Sequence, residues 1–211
     1  MIKAFRADED PDELIANTYV LGQKGKNCLI VDLGDKSDKI ERFVKNDFRK
    51  VVGILLTHAH FDHIRGVSRF LRSFDYSIPV YLHEDDYEML MTDAMNGSLN
   101  NHEKINVDFD PVLVKDGQIL TFGDTSIKVI HTPFHTQGSV CYLDVEDNAL
   151  FTGDTLFKGS IGRTDMPGGD EEMIVPSLLK LKGLSEMLVC YPGHGGITTL
   201  KEEKENNPFL K

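Results

Sequence analysis

Several things are scarce in these 211 residues, and each scarcity closes off a class of function. Cysteine occurs three times, at Cys28, Cys141 and Cys190, with no C-x-x-C pair and an odd count. That argues against a disulfide framework and suits reduced thiols in a cytosolic compartment. All three lie in or beside apolar, strand-like stretches, where buried packing is the default for a free cysteine. Positive charge is short as well: 23 Lys+Arg stand against 34 Asp+Glu, a formal net charge of −11. Phosphate binding needs clustered Lys and Arg, so nucleic acid is not expected as a partner. No apolar run is long enough to span a bilayer, and Met1 to Asp12 is charged, without a signal-peptide h-region. The expectation is a cytoplasmic protein with no membrane partner. No internal repeat or low-complexity segment stands out, and 40% hydrophobic content over this length lets one domain bury a full core.

What the chain does have is histidine in one place. Thr57-His58-Ala59-His60-Phe61-Asp62-His63 packs three of the eight histidines and an aspartate into six positions. The cluster follows the apolar run Val51-Val52-Gly53-Ile54-Leu55-Leu56. A buried strand ending this way presents imidazoles and a carboxylate from one rigid edge, and these are usual ligands of zinc and non-haem iron. A histidine-rich surface loop is the plainer alternative, but such tracts lack the interleaved Asp and the preceding strand. Three more metal-type residues stand after short apolar runs: His135 after Ser126–Ile130, Asp154 after Ala149–Gly153, and His194 after Met187–Tyr191. Each has Gly or Pro nearby, so the backbone turns sharply there. Singly each reads as a capped turn or a surface residue; four places of the same kind imply a shared site.

Periodicity places strands near 17–22, 27–32, 51–56, 112–114, 118–122, 125–131, 139–144, 148–152 and 187–191, and helices near 37–46, 66–74, 84–95 and 171–182. A short first strand and an acidic turn are expected within Met1 to Asp12, and a solvated surface helix over Lys201 to Asn207. Asp116-Gly117, Phe122-Gly123-Asp124 and Glu146-Asp147-Asn148 read as hairpin punctuation. His83 reads as a surface or helix-start residue and His102 as solvated.

Taken in order, Thr57–His63, His131-Thr132-Pro133-Phe134-His135-Thr136, Thr152-Gly153-Asp154 and Pro192-Gly193-His194-Gly195 resemble the motifs of the metallo-β-lactamase superfamily. Gly159-Ser160-Ile161-Gly162-Arg163-Thr164-Asp165 and the ending Asn207-Pro208-Phe209-Leu210 resemble its glyoxalase II (hydroxyacylglutathione hydrolase) branch, in the short, single-domain form. Related persulfide dioxygenases carry similar stretches. The likeness runs from Asn17-Thr18-Tyr19-Val20 and Asp32-Leu33-Gly34-Asp35 to the C-terminus.

The resemblance implies an α+β fold of four αββα layers over residues 1–211, with the site along one edge of the two sheets. The C-terminal helical domain that grips the glycine carboxylate of glutathione in classical glyoxalase II is not expected. The resemblance implies a first metal held by His58, His60 and His135, and a second by Asp62, His63 and His194. Asp154 would bridge them, with Asp62 and Asp154 as the catalytic carboxylates. Two divalent ions are implied, zinc foremost, with iron and manganese compatible with the same ligands. Cations sharing a carboxylate also share a water whose pKa falls towards neutrality, and the resulting hydroxide is the implied nucleophile. A small-molecule thioester such as S-D-lactoylglutathione suits such a site, because its leaving thiol has an ordinary pKa of about 8.5 and needs no strong acid. The alternatives are a persulfide dioxygenase with one iron on His58, His135 and Asp154, or hydrolysis of another ester or lactone.

Around this set, His131 is a candidate to orient a ligand, or simply a hydrogen-bonded histidine at a strand end. Arg163, with Lys158 behind it, is a candidate partner for a substrate carboxylate, or a loop tie through Asp165. The family pattern has Gly where this chain has Phe134, so its ring is expected to line and narrow the pocket mouth. Pro is common in the family at the positions of Leu33 and Gln137, neither of them a ligand position.

Overall fold

The computed structural model describes residues 1–6 and 15–211. The expected acidic turn of the N-terminal stretch lies outside the described residues. Two six-stranded sheets pack face to face. The first runs β1 (Ile2–Phe5), β2 (Thr18–Gly22), β3 (Asn27–Val31), β4 (Lys50–Leu55), β5 (Val80–His83) and β6 (Val112–Val114), in that spatial order. The second is ordered β14 (Thr198–Thr199), β13 (Val189–Pro192), β10 (Ala149–Gly153), β9 (Val140–Asp144), β8 (Thr125–His131) and β7 (Ile119–Phe122). A small β11–β12 hairpin (Leu156–Phe157 and Ser160–Ile161) leaves the second sheet. Both sheets are mixed: β3, β4, β5 and β6 pair in parallel, as do β10 and β13, and the remaining pairings are antiparallel.

Side-chain alternation explains the layering. Successive residues of a strand point to opposite faces. Tyr19, Leu21, Leu29, Val31 and Leu55 meet Ile127, Val129, Tyr142 and Phe151 between the sheets. Their neighbours Val20, Cys28, Ile30, Ile54 and Leu56 face α1 (Lys39–Asp47) and α3 (Val67–Arg72), which contribute Ile40, Val44, Phe70 and Leu71. On the far side, Ile130, Cys141, Leu143, Leu150 and Cys190 pack under α5 (Ile174–Lys182) and α6 (Leu200–Asn206), through Leu178, Leu181 and Leu200. Three apolar layers separate four structural ones, so strands buried on both faces read as continuous apolar runs. The three cysteines are free and buried in these layers. No helix of the described residues is long and apolar enough to cross a membrane.

Most expected elements appear, with several differences; the short α2 (Phe61–Ile64), β11, β12 and β14 were not among those expected. Asp116-Gly117 is no hairpin: β6 pairs with β5 and β7 with β8, so this turn carries the chain from one sheet to the other. β5 was absent from the expected strands. The expected helix over 84–95 is a 3₁₀ turn at Glu84–Asp86 followed by α4 (Tyr87–Leu90). The C-terminal helix is not simply solvated, since Leu200 and Glu203 are buried. Glu203 accepts hydrogen bonds from Gly159 N, Thr198 Oγ1 and Asn207 Nδ2.

Tyr142 spans the middle layer, its hydroxyl donating to the Leu56 carbonyl at 2.9 Å. Tyr142→Phe should cost about 1–2 kcal/mol, because a buried carbonyl loses a donor. Urea denaturation should show a lower midpoint with an unchanged slope.

Candidate metal centre

Four strand ends deliver the site. β4 leads through Leu56 and Thr57 to His58, and His60 stands in extended conformation as the N-cap of the one-turn helix α2 (Phe61–Ile64). That cap places Asp62 and His63 in the first helical turn, beside the other ligand candidates. His135 lies in the loop after β8, Asp154 directly after β10, and His194 directly after β13. Gly193 lets the last two approach, because a Cβ there would collide with Asp154 Oδ1 and His63 Cε1. The His194 loop is pinned from the first sheet. Asn17 Nδ2 donates to the Pro192 and Gly195 carbonyls at 3.0 Å, and the Tyr19 hydroxyl donates to Pro192 O at 2.7 Å.

All seven expected ligands come together. Donor atoms of His58, His60 and His135 lie within 4.8 Å of one another, as do those of Asp62, His63 and His194. Asp154 reaches both groups: its Oδ2 is 3.5 Å from His135 Nε2 and 3.6 Å from His194 Nε2, and its Oδ1 is 3.3 Å from His63 Nε2. His60 Nδ1 faces His135 Nε2 at 2.9 Å, and His194 Nε2 lies 3.0 Å from Asp62 Oδ2. Of the seven, His194 is the most open, its side chain 34% exposed.

The outer partners set the tautomers. His63 Nδ1 donates to Asp32 Oδ2 at 2.8 Å, and His135 Nδ1 to the Arg163 carbonyl at 2.7 Å. Thr57 Oγ1 donates to Asp32 Oδ2 at 2.8 Å, so it accepts from His58 Nδ1 at 3.1 Å. Each of these rings, when neutral, therefore turns an Nε2 lone pair inward, as second partners do at metal sites. Within the cluster, His58 Nε2, His60 Nε2, His63 Nε2 and Asp154 Oδ1 are buried with no hydrogen-bond partner among the described residues. Buried polar atoms left so are costly, and donors gathered this closely fit divalent cations.

Electrostatics agree. Burial, reinforced by neighbouring histidines, holds His58 well below the ordinary imidazole range and His60 at about 3. Burial would likewise lower His63, but Asp32, Asp154 and Asp62 outweigh it and raise it well above that range. His194 is raised despite its burial by Asp154 and Asp62. Asp154 is buried too, yet His194, His63 and His135 hold it well below the carboxylate range. Asp62 is lowered against its burial by His63 and His194.

The outlying expectations fare differently. A cleft of about 560 Å³ opens over the cluster, walled by Phe61, Phe157, Ile161 and Met166, with Arg163 on its lining. The Arg163 guanidinium grips Asp165 through Nε and Nη2, at 2.5 and 2.6 Å, so the loop tie is formed. Lys158 is exposed and does not line the cleft. Phe134 does not line the mouth either: it is fully buried with Ile130, Leu156 and Leu178 beneath the second sheet. His131 touches none of the seven. It shares the strand face of Ile127 and Val129, which looks across to the first sheet, and there its ring stacks on His83 at 3.9 Å. His131 Nε2 donates to the Gln137 carbonyl at 2.7 Å. His83, Asp85 and His131 form a second histidine–aspartate group, but parallel stacked rings do not direct two lone pairs at one ion. His83 is buried and caps the 3₁₀ turn, accepting from Asp85 N. Asp32 and Asp86, which bind the ligand loops, were not singled out as site residues; a lone Asp after a strand looks like any turn residue.

Two mixed sheets flanked by helices, with a histidine–aspartate cluster at their shared edge, define a class of metal-binding hydrolase folds. The chain belongs to the metallo-β-lactamase superfamily, whose model matches residues 11–194. Hydroxyacylglutathione hydrolase GloC of Haemophilus influenzae is 34% identical over 198 residues, covering 92% of each chain. The crystal structure of BLEG-1 B3 metallo-β-lactamase superposes with a TM-score of 0.88 at 37% identity, covering 100% of both chains. That of TTHA1623 in a di-iron-bound form gives 0.82 at 34% identity, covering 95% of this chain and 97% of that one.

The raised pKa values carry a pH dependence. His63 and His194 keep their protons to higher pH than a free imidazole, and an ion entering beside Asp62 must displace them. Apparent Zn²⁺ affinity should therefore rise with pH through and above about 6.5. Calorimetry at pH 7 in two buffers of different ionisation heat should reveal proton release; identical heats would mean the imidazoles were already neutral.

Proposed function

We propose that this metallohydrolase cleaves a hydroxyacyl thioester of the S-D-lactoylglutathione type at a two-ion centre. His58, His60 and His135 would hold one divalent ion, and Asp62, His63 and His194 the other, with Asp154 shared. The observation that carries the reading is the position of Asp154, within 3.6 Å of histidines from both groups. Zinc suits the nitrogen-rich donor set best; iron and manganese accept the same ligands. Two ions so held supply Lewis acidity and draw the pKa of water down towards neutrality.

The chain's own residues supply the rest. Asp32, Thr57 and the Arg163 carbonyl hold the imidazoles of His63, His58 and His135 in one orientation. The apolar cleft walls shield the reacting carbonyl from bulk water. A thiol leaves without a strong acid at its side, which matches a cleft whose titratable lining consists of the expected ligands and Arg163. The likeness to GloC supports a thioester over other esters. The likeness to BLEG-1 favours a second reading, β-lactam hydrolysis at the same centre.

The deciding experiment follows loss of thioester absorbance from S-D-lactoylglutathione with zinc- and iron-loaded protein, beside a chromogenic cephalosporin. Metal-dependent thioester turnover is expected. Cephalosporin turnover alone would move the assignment to the second reading, and oxygen uptake on a persulfide with one iron per chain would make the protein a dioxygenase. Asp154→Ala should lose metal and cut turnover by more than about 100-fold, beyond what loss of an outer partner costs.

Arg163 lies at the mouth with its side chain 64% exposed and paired to Asp165. An exposed pair contributes little, so Arg163→Ala should raise KM for an anionic thioester by about two- to fivefold with kcat nearly unchanged. Asp165→Asn, which releases the guanidinium, should lower KM. Unchanged constants in both variants would leave Arg163 as a loop tie only.

A further inference from the structure

One carboxylate outside the expected ligand set joins both loops that deliver the first trio. Asp86 ends the 3₁₀ turn after β5 and is fully buried. Its Oδ2 accepts from the Ala59 backbone N–H at 2.9 Å and from Thr136 Oγ1 at 2.8 Å. Its Oδ1 accepts from the Gly138 N–H at 2.6 Å. Ala59 separates His58 from His60, and Thr136 follows His135. Asp86 thus ties together two loops that are far apart in sequence and that share His58, His60 and His135.

The surroundings are built for this contact. Thr136 Oγ1 spends its proton on Asp86, so it accepts from the Ser139 hydroxyl at 2.8 Å, while Ser139 Oγ accepts from Thr136 N–H at 3.1 Å. Each hydrogen in this ring has one destination. Gly138 completes the fit, since a Cβ there would lie 2.6 Å from Asp86 Cβ and Cγ. The other trio is held differently: His63 rests on Asp32, and the His194 loop on Asn17 and Tyr19.

We propose that Asp86 is a positioning residue for the ion held by His58, His60 and His135, acting on the two loops that carry this trio. The proposal rests on the two-ion reading above. Asp86→Asn presents an amide NH₂ to N–H donors, so the loops should part while Asp32 keeps its own contacts. Losing an outer partner of this kind should weaken one of the two binding steps by about 10–100-fold and spare the other.

The test is competition titration of apo-protein with Zn²⁺ and absorption spectroscopy of the Co²⁺ form, comparing wild type, Asp86→Asn, Thr136→Val and Thr136→Ser, with circular dichroism to establish folding. Wild type taking up two ions is the control for the two-ion reading; if it takes up none, that reading falls and this one with it. Given two ions in wild type, weakening of a single step with an altered Co²⁺ band, repeated more mildly in Thr136→Val and restored in Thr136→Ser, supports the assignment. Both steps unchanged in folded Asp86→Asn, or both weakened equally, overturns it. Should Asp86→Asn fail to fold, the Thr136 pair decides: a one-step loss in Val with recovery in Ser supports the role, and equal affinities in both overturn it.

Discussion

Keeping five imidazoles and two carboxylates together at one largely buried corner is the constraint on which this architecture turns. Unpaired charge is costly away from water, and so are unpaired lone pairs. The cluster answers with alternation. His58 and His60 stay neutral because burial and their histidine neighbours forbid a proton. His63 is pushed the other way: burial would lower it, but Asp32, Asp154 and Asp62 outweigh burial and raise it. Asp154 remains ionised because three histidines face it. Removing any member unbalances the others, so the rigid strand ends around the cluster do more than position it; they prevent it from relaxing apart.

That rigidity has a source in the pleat. With successive side chains committed to different layers, a one-residue slip of β4 would exchange its two buried faces and move His58 from the edge. The register of β3 with β4 and the Tyr142 contact to Leu56 therefore also fix His58. The outer partners form the next shell: Asp32 and Asp86 come from the ends of β3 and β5, the strands on either side of β4.

How much of this was legible beforehand follows from what a sequence encodes locally. The seven clustered residues could be read because ligand-type side chains after apolar runs, beside turn formers, are unusual in themselves. Most strands were legible because burial on both faces leaves continuous apolar stretches. Asp32 and Asp86 were missed because their significance lies in backbone N–H groups they meet far along the chain. Phe134 was misplaced because adjacency to His135 says nothing of direction: the turn through Pro133 sends its ring under the sheet. His131 is the hydrogen-bonded histidine at a strand end, one of its two readings, and strand alternation stacks its ring on His83 across the sandwich. β5 was not read as a strand, and the expected helix after it is interrupted. There, Asn96 gives its carbonyl to Phe61 N and so serves the ligand helix α2.

The unequal exposure of the cluster gives its chemistry a direction of traffic. Six of the seven side chains are at most 10% exposed, while His194 stands 34% open on a loop between glycines. It is the threshold of the site: of the seven side chains its ring is the one most open to solvent, with Asp62 and Asp154 behind it. The corner is thus deep on the side of β4 and open on the side of β13.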